Sequence, residues 1–252
     1  MTIALNDAIT TGDVDLSHGV RPNSLLAHMY TVSASHPSWL YSGADLEVVC
    51  GGIGTTTAFC LPRDAGIEDK TPFTGTWTSL SPLAVYALHE CSAIGSPQDE
   101  RASKAQQALS IGEQTAIEQQ FADLVTENAD TVAGTAASLL EALATAEATL
   151  GYDLERLIHL NAGDVVRLSA QGALRIDGNG VLQTFNGTRV VSGVGYPTDL
   201  GVLVTGPVLG IEGETVVTET TLEVRTNLMS VLAEKPWALG YACGAHRITV
   251  PP

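Results

Sequence analysis

The chain has 252 residues, enough for one large domain or two small ones. It carries 12 Lys and Arg residues against 28 Asp and Glu residues, a formal net charge of −16, and 44% of its residues are hydrophobic. This apolar content excludes a disordered chain, and so few basic residues argue against a protein that grips nucleic-acid phosphates. The composition favours a globular protein that also buries surface against partners.

Residues 1–37 lack sustained hydrophobic periodicity and are interrupted by Gly and Pro. They predict an extended arm or an ordered loop, with a frayed terminus as the alternative. The start is acidic and has no apolar core, so we expect no signal peptide. No run of 18 apolar residues occurs in the chain, so we expect no membrane-spanning helix.

Two short β-prone runs, residues 46–50 and 57–61, flank a Gly-rich segment and predict a hairpin. An isolated hairpin is marginal in water, because it buries too little apolar surface to offset the entropy of ordering. Its edges also expose unpaired backbone groups. We therefore expect the hairpin to lie against a neighbouring chain. The expected contact residues are Leu46, Val48, Val49, Phe59 and Leu61.

A strand and a long helix are predicted next. Residues 83–91 form an apolar run that predicts a strand buried on both faces, or nearly so. A capping Ser96, a Pro97 at the first helical position and acidic residues in the first turn predict a helix over 96–124. A thin stripe of apolar and small residues along one side predicts that this helix lies across a flat surface. The stripe consists of Ala105, Leu109, Gly112, Ala116, Ile117, Phe121 and Leu124.

The remainder predicts a second helix followed by a β-rich region. The helix covers 136–150, with one face formed by Leu139, Leu140, Leu143, Ala146 and Leu150. Asp-Gly and Asn-Gly pairs predict tight hairpin turns at 177–180 and 186–187. Strands are predicted at 157–160, 165–168, 173–176, 181–185, 188–193, 202–209 and 214–224. After these, two further strand candidates are separated by a break at Lys235-Pro236, and a last strand follows Gly244.

Motifs of known chemistry are missing from the sequence. There is no GxSxG elbow, Walker motif or HExxH motif. His89, Glu90 and Cys91 carry metal-binding groups, but Glu90 points away from the other two in a strand. His159 and His246 are interpreted as core or edge histidines. Four cysteines without a CxxC pair predict reduced, metal-free thiols. We therefore expect no catalytic site, no metal and no cofactor, which favours an assembly protein.

Three segments carry distinctive patterns. Residues 82–95 (PLAVYALHECSAIG) lead into 100–121, which contains GEQTAIE. Residues 180–196 read GVLQTFNGTRVVSGVGY, and residues 226–250 begin TNLMSVLAEKPW. In this order, the three segments resemble the major capsid proteins of tailed phages that infect actinobacteria. The resemblance covers roughly the C-terminal two thirds of the chain.

The resemblance implies an α+β chain with the Hong Kong 97-type capsid fold. Such a fold has an N-terminal arm, an extended hairpin called the E-loop, and peripheral and axial domains, with a long spine helix in the peripheral domain. The segments expected here are the N-terminal arm at 1–37, the E-loop region at 38–80, the peripheral-domain strand and spine helix at 81–127, the axial domain at 128–225 and the return strands of the peripheral domain at 226–252.

The resemblance also implies a function. It points to a structural virion protein, not an enzyme, whose copies assemble through hexamers and pentamers into an icosahedral head shell. The shell encloses double-stranded phage DNA without sequence-specific binding and forms in the host cytoplasm without a membrane. Scaffold, portal and decoration proteins stay open as further partners. Some capsids of this fold form Lys–Asn cross-links, but we expect Lys70 to be a solvated loop charge.

Two alternatives stay open at this point. An encapsulin-like cellular nanocompartment shares the implied fold and would differ by a cargo-binding pocket. A β-rich enzyme with no recognisable motif is the alternative of another class.

Overall fold

A computed structural model describes residues 21–31, 39–48, 76–92, 97–128, 131–149, 155–219 and 227–251. Within these ranges, helices α1 to α5 span Leu25–His28, Trp39–Ser42, Gln98–Glu127, Leu139–Thr149 and Ala162–Ala170. Strands β1 to β7 span Tyr30–Thr31, Ala44–Val48, Thr76–Ser92, Val132–Thr135, Leu157–Asn161, Leu174–Ile176 and Leu182–Thr184. Strands β8 to β13 span Arg189–Gly193, Val202–Thr205, Val208–Glu212, Val216–Glu219, Leu228–Tyr241 and Ala245–Thr249. No helix among these residues is long and apolar enough to cross a bilayer.

The described strands form two sheets. The first has the order β1-β10-β12-β3-β2, with β11 beside β12, and the second has the order β4-β13-β9-β5-β8-β7-β6. The long strands β3 and β12 form the centre of the first sheet, where they pair antiparallel from Ser92 opposite Leu228 to Ser81 opposite Leu239. Parallel pairs also occur, such as β5 with β8 in the second sheet. Mixed sheets with separate helices confirm the expected α+β class.

The predicted long helix is confirmed as α3, which extends three residues beyond its predicted end. Its predicted start is wrong, since Pro97 is the N-cap and the helix begins at Gln98. Its buried apolar residues follow an i, i+4 series: Ala105, Leu109, Ile117, Phe121 and Val125. The predicted stripe is wrong at Gly112, which is exposed and would place a Cβ with no atom within 4 Å. The series passes instead through Glu113, whose carboxylate contacts the first sheet through the Trp237 side chain.

Strand β3 is not buried on both faces, so that prediction is wrong. Its burial alternates, because neighbouring side chains of a strand point to opposite faces. Val85 is 6% exposed and packs in the core cluster that contains Leu109 of α3, whereas Tyr86 is 67% exposed and Leu88 is 54% exposed. Tyr86 and Leu88 therefore lie on a part of their face that no described residue covers, whereas Leu80 of the same strand is buried in the cluster that contains Trp39.

The predicted strand at 165–168 is wrong, because these residues belong to helix α5. The Asn161 side chain caps the helix by accepting a hydrogen bond from the Gly163 backbone N–H at 2.8 Å. Asp164 lies in the first turn, where the helix dipole favours an acid. One side of the helix packs against the sheet, since Leu168 is fully buried and Val166 is 68% exposed. Capping therefore overrides the β preference of the two valines.

The predicted strand at 202–209 is two strands that belong to different sheets. Gly206 and Pro207 separate β9 in the second sheet from β10 in the first sheet. Strands β10 and β11 lie in the first sheet beside β12, and β13 lies in the second sheet. The expected bounds of the peripheral and axial domains stay a prediction.

The predicted break at Lys235-Pro236 is also wrong, since β12 runs through it from Leu228 to Tyr241. On one side, β12 pairs with β11 up to Glu234 and with β10 from Trp237 onward. Pro236 falls between these two pairings, and its carbonyl accepts a hydrogen bond from the Gly213 backbone N–H at 2.9 Å. A proline is tolerated in a strand where its missing N–H has no ladder partner.

The second predicted helix is confirmed as α4, and among the described residues its predicted buried face is wrong only at Leu140. A variant of the capping box sets its start: the Glu141 N–H donates to Ser138 Oγ at 3.2 Å, and Glu141 Oε2 accepts at 2.8 Å from the N–H of Ala137, the residue before the cap. This start buries Ala142, Leu143 and Ala146 and leaves Leu140 49% exposed. The exposure of Leu140 contradicts its predicted place on the buried face.

Residues 21–31 of the expected arm are ordered against the body of the chain. Leu25 is fully buried in the main core. The Asn23 carbonyl accepts a hydrogen bond from the Ser192 N–H at 2.7 Å, and Asn23 Oδ1 accepts one from the Leu182 N–H at 2.8 Å. This stretch therefore agrees with an ordered loop and not with a frayed terminus. Residues 1–20 and 32–38 lie outside the described residues.

Candidate functional site on the long helix

The three distinctive sequence segments meet on one stretch of α3. This stretch, residues 113–118, belongs to the GEQTAIE pattern. Its Glu113 contacts β12, which carries the third segment, and its Glu118 contacts the backbone after β8, which carries the second segment. We call this arrangement the helix junction.

Glu113 joins the helix junction to the first sheet. Glu113 Oε1 accepts a hydrogen bond from Trp237 Nε1 at 2.9 Å and lies 2.9 Å from Lys235 Nζ. The same ammonium pairs with Glu212 of β10 and lies 5.1 Å from the centre of the Trp237 ring. Burial lowers the pKa of Lys235, but its hydrogen bonds to Glu212 and Glu113 outweigh that effect and raise the pKa above its ordinary value.

Glu118 joins the helix junction to the second sheet. Its side chain is fully buried, and Glu118 Oε2 accepts a hydrogen bond from the Gly195 backbone N–H at 3.2 Å. Gln114 Nε2 donates to Glu118 Oε1 at 3.0 Å. Burial raises the pKa of Glu118, while the hydrogen bonds from Gln114, Gly195 and the Leu25 backbone oppose the rise in part.

Glycines at positions 193 and 195 allow the backbone after β8 to lie close to helix α3. A Cβ on Gly193 would lie 2.0 Å from Glu118 Oε2, and a Cβ on Gly195 would lie 2.2 Å from the Thr115 carbonyl oxygen. Any larger residue would push the helix away from the segment. The glycines of the GVGY pattern therefore hold the helix and the second sheet in contact.

A buried polar chain lies beside Glu118. His159 is fully buried, with Nδ1 3.0 Å from the Tyr196 hydroxyl and Nε2 2.8 Å from Thr205 Oγ1. Thr205 donates its hydroxyl proton to the Gly206 carbonyl, so it accepts from His159 Nε2–H and Tyr196 donates to Nδ1. The ring is therefore neutral, in agreement with burial, which lowers the pKa of His159 to about 3. Phe121 of α3 packs on the same ring with a centroid distance of 5.3 Å.

The buried polar groups of the helix junction are bonded within the chain. Glu118 accepts hydrogen bonds from the Gln114 side chain and the Gly195 backbone, and His159 bonds to the Tyr196 and Thr205 hydroxyls. The carboxyl, imidazole and phenol groups are all buried. A general base must reach the proton that it removes, and these groups cannot. Within the described residues, no group of three His, Cys, Asp or Glu side chains could hold a metal ion.

The cysteines differ from the prediction in one respect. Cys243 is disulfide-bonded, so the prediction of reduced thiols is wrong for this residue. Cys91 is a free thiol and is half-buried. Neighbouring Glu90 points to the exposed face of β3, where its carboxylate accepts a hydrogen bond from Ser230 Oγ at 3.1 Å. His89 and Cys91 lie on the other, half-buried face, as the strand alternation predicts.

The expected intersubunit residues are only partly within the described structure. Leu46 lies in β2 opposite Thr78 of β3, and it is half-buried against the core cluster that contains Trp39 and Leu80. Val48 is the last residue of β2, opposite Thr76. Val49, Phe59 and Leu61 lie outside the described residues, as does the second strand of the predicted hairpin. Leu46 thus contacts its own chain, and contact with a neighbour stays a prediction.

Sequence reasoning did not assign roles to Glu113, Glu118 or Lys235. Each of their partners is far away in sequence, so spacing alone could not reveal the pairs. A signal was present nonetheless: Glu118 occupies the helix face between buried Ile117 and Phe121, where an acid requires hydrogen-bond donors. Two glycines in GVGY also indicated a close backbone approach.

Comparison with known proteins identifies the fold. No protein-family model and no curated protein matches the chain. A chain from the capsid of an empty GTA particle, computed with C5 symmetry, superposes with a TM-score of 0.60 at 12% identity, covering 97% of this chain and 96% of that chain. A chain of Mycobacterium phage Adephagia superposes with a TM-score of 0.52 at 14% identity, covering 97% of each chain. A chain of Mycobacterium phage Cain gives 0.51 at 15% identity, covering 97% of this chain and 96% of that chain.

The chain has the Hong Kong 97-type capsid fold. In this capsid fold, α3 is the long spine helix, and its 30 residues give a length of about 45 Å at the standard rise. The helix junction lies in the second half of this helix and connects it to both sheets. The three sequence segments that carry the resemblance therefore contact one another at this junction.

Proposed function

We propose that the chain is the major capsid protein of a tailed phage that infects actinobacteria. Many copies assemble through hexamers and pentamers into an icosahedral shell around the phage DNA, and the protein acts as a structural component without enzyme activity. The observation that carries the proposal is the superposition on a GTA-particle capsid chain over 97% of the chain. The agreement of the three sequence segments with the same family supports it independently.

The helix junction supports a shell role. A shell subunit must transmit load between its layers without changing shape. Glu113 and Glu118 connect one helix to two sheets, and Arg101 of the same helix donates to Glu219 of β11 at 3.0 Å. Buried, charge-assisted hydrogen bonds of this kind favour one arrangement of packed elements over its alternatives.

The net charge of the chain supports a role as the wall of a shell that contains DNA. With a net charge of −16, the protein repels DNA phosphates, so packaged DNA would not adhere to a wall of these subunits. We place the protein in the virion after assembly in the host cytoplasm. An encapsulin-like shell would share the fold, but the phage and particle capsids among the structural matches favour the phage role.

Assembly of the purified chain tests the proposal. We expect fast-sedimenting species and closed particles in negative-stain electron micrographs when the concentrated protein is brought to moderate ionic strength. Treatment with nuclease should not disassemble the particles, because protein contacts hold them. A chain that sediments as a monomer at every concentration and salt tried would overturn the proposal.

A further inference from the structure

Residues 21–31 run from the second sheet to the first, and we call this stretch the strap. Near its start, the Asn23 carbonyl accepts a hydrogen bond from the Ser192 N–H of β8 at 2.7 Å, and Asn23 Oδ1 accepts one from the Leu182 N–H of β7 at 2.8 Å. At its end, strand β1 pairs with β10 of the first sheet. The strap is therefore attached to both sheets.

A charged cluster connects the end of the strap to the second sheet. Tyr30 of β1 donates its hydroxyl proton to Glu155 Oε2, and Arg189 Nη1 of β8 lies 2.6 Å from Glu155 Oε1. Both carboxylate oxygens of Glu155 are therefore engaged, one by the strap and one by the second sheet.

His28 lies between these two attachments in the sequence. The residue is half-buried, and its Nε2 atom is buried with no hydrogen-bond partner among the described residues. Burial lowers the pKa of His28 below its ordinary value and the Arg189 guanidinium lowers it further, whereas the Pro22 backbone carbonyl and the Glu155 carboxylate raise it in part. The neutral ring therefore suits this position, and a protonated ring does not.

Two further ionisable side chains near the strap are already bonded elsewhere. His159 of β5 is hydrogen-bonded to two hydroxyl groups and stays neutral, since burial and, to a smaller extent, His28 lower its pKa to about 3. Glu118 of α3 accepts hydrogen bonds from the Leu25 backbone and from two other donors. A proton on His28 would therefore add a charge that neither group neutralises.

Glu155 is the acid that a protonated His28 would attract. It could pair with His28 only by releasing Tyr30 or Arg189, since each of its oxygens already accepts a hydrogen bond from one of them. Release of Tyr30 removes a link between the strap and the second sheet. Release of Arg189 leaves a second cation beside the protonated ring, which repels it. Each outcome weakens the attachment of the strap.

We propose that the strap is a pH-sensitive connection between the two sheets, held while His28 is neutral and released when His28 takes up a proton from solvent. A released strap exposes the ring to water, where a histidine has its ordinary pKa of about 6.5. Because the closed strap binds the proton less tightly, release becomes more frequent as the pH falls below that value. The inference goes beyond the proposed shell function and is tested on the unassembled chain, so its failure leaves that function standing.

Hydrogen exchange of the unassembled full chain tests whether the strap opens separately. The N–H groups of Ser192 and Leu182 donate to Asn23 and therefore report on the attachment from outside the strap. We expect them to exchange faster than the N–H groups in the paired centre of β3 and β12, because the strap opens without the rest of the fold. Equal protection at the two places would show that the strap opens only with the whole chain and would overturn the proposal.

The pH dependence of this exchange tests the role of His28. The ratio of wild-type to His28→Gln protection at Ser192 and Leu182 should fall roughly fivefold or more between pH 7.5 and pH 5, because glutamine does not titrate; the upper limit is about tenfold per pH unit. His246→Gln is the matched control, since this histidine is half-buried in β13 and burial lowers its pKa as well. It should leave the pH dependence at the strap as in wild type. A wild-type to His28→Gln ratio that is constant with pH would contradict the proposal. In the wild-type chain, the ring resonances of His28 should titrate below pH 6.5, and a midpoint at or above that value would overturn the proposal without any variant.

Removal of the neighbouring cation gives an independent readout. Arg189→Gln removes the like charge beside His28 and frees one oxygen of Glu155 for the protonated ring. The titration midpoint of His28 should therefore rise toward 6.5, and the loss of strap protection at low pH should shrink. Arg167→Gln removes the same charge from an exposed position on α5, where the partner is Asp164, and should change neither quantity. A titration midpoint that is the same in Arg189→Gln as in wild type would overturn the assigned surroundings of His28.

Discussion

Glu118 and Gly195 lie 77 positions apart in the sequence and are joined by a hydrogen bond of 3.2 Å from the Gly195 N–H to the Glu118 carboxylate. The bond forms only because the glycine brings its backbone against the helix. It joins the spine helix of the capsid fold to the second sheet at a point closed to solvent. The packing and the charge of this contact each lead to a prediction.

Gly195→Ala should loosen the helix junction. Its new methyl group would lie 2.2 Å from the Thr115 carbonyl oxygen and 2.8 Å from Glu118 Cβ, so the backbone must shift. Overpacking of this kind costs about 1–3 kcal/mol of unfolding free energy. Urea unfolding of the unassembled chain, followed by circular dichroism, measures the change.

Gly112→Ala is the matched control on the same helix. A Cβ at Gly112 would meet no atom within 4 Å, and the residue lies in the middle of an exposed helical face. Alanine is the better helix former, so this variant should gain about 0.5–1 kcal/mol. Equal effects of the two substitutions would show that the close contact at Gly195 has no energetic weight.

Local signals in the sequence predicted the elements whose geometry is set locally. Pro97 and the acids after it marked the start of α3, and the turn chemistry at 177–180 marked the β6–β7 hairpin, where Asp177 Oδ1 accepts from two backbone N–H groups. Family resemblance supplied the fold that connects these elements. Neither source of information gave the partners of individual side chains.

Contacts between residues far apart in the sequence determine the elements and side-chain pairs that the sequence did not predict. Pro236 looked like a strand break, but the gap between β11 and β10 accommodates it. The valines at 165 and 166 predicted a strand, whereas the Asn161 cap made a helix. The pairing of Glu113 with Trp237 spans 124 positions, so no periodicity in the sequence could reveal it. Tertiary contacts override local preference at such positions.

Glu118 should make the stability of the chain depend on pH. Burial raises the pKa of this carboxyl in the folded chain above its value of about 4.3 in the unfolded chain. At a pH below both values the two states bind the proton equally, and the group costs nothing. As the pH rises above the unfolded value, the unfolded chain ionises first, so the unfolding free energy falls until the folded pKa is passed.

Glu118→Gln removes this titration while its side-chain oxygen can still accept from the Gly195 N–H. The difference in unfolding free energy between Glu118→Gln and wild type should grow in favour of the variant as the pH rises above about 4.3. Urea titrations across that range measure the difference. A difference that stays constant with pH would show that Glu118 does not titrate differently on folding.

His159 should make the unfolding free energy fall as the pH is lowered, which is opposite to the effect of Glu118. Burial, with a smaller contribution from His28, lowers the pKa of His159 to about 3 from 6.5. Below pH 6.5 the unfolded chain takes up a proton that the folded chain refuses, so this group removes about 1.4 kcal/mol of stability per pH unit down to about pH 3. The ring resonances of His159 in NMR spectra should therefore stay unchanged between neutral pH and pH 5. A titration step near pH 6.5 would contradict the neutral buried ring.

Leu109 tests the buried face of the spine helix. It is 4% exposed in the main core, whereas Ile111, two positions further on, is 50% exposed. Leu109→Asp should lower the unfolding free energy by about 3–5 kcal/mol, because it removes apolar packing and buries an unpaired acid. Ile111→Asp should cost less than about 1 kcal/mol. Melting curves of the two variants give the comparison, and equal melting temperatures would reverse the assigned helix face.

Two experiments test whether residues 46–61 contact a neighbouring subunit or their own chain. Leu46 packs half-buried against the cluster of Trp39 and Leu80, so Leu46→Asp should destabilise the unassembled chain by about 1–3 kcal/mol. Phe59 and Leu61 are expected to contact a neighbouring subunit. The double variant Phe59→Asp with Leu61→Asp should leave the melting temperature of the unassembled chain unchanged and abolish closed particles.

These two outcomes distinguish a role within the chain from a role between chains. Apolar side chains ordered only by a neighbour contribute nothing to the isolated fold, because that chain never buries them. Differential scanning fluorimetry of dilute protein reads the first effect, and sedimentation of concentrated protein reads the second. If the double variant melts early, as Leu46→Asp should, Phe59 and Leu61 belong to the core of their own chain. If it assembles at wild-type yield, neither residue holds neighbouring subunits together.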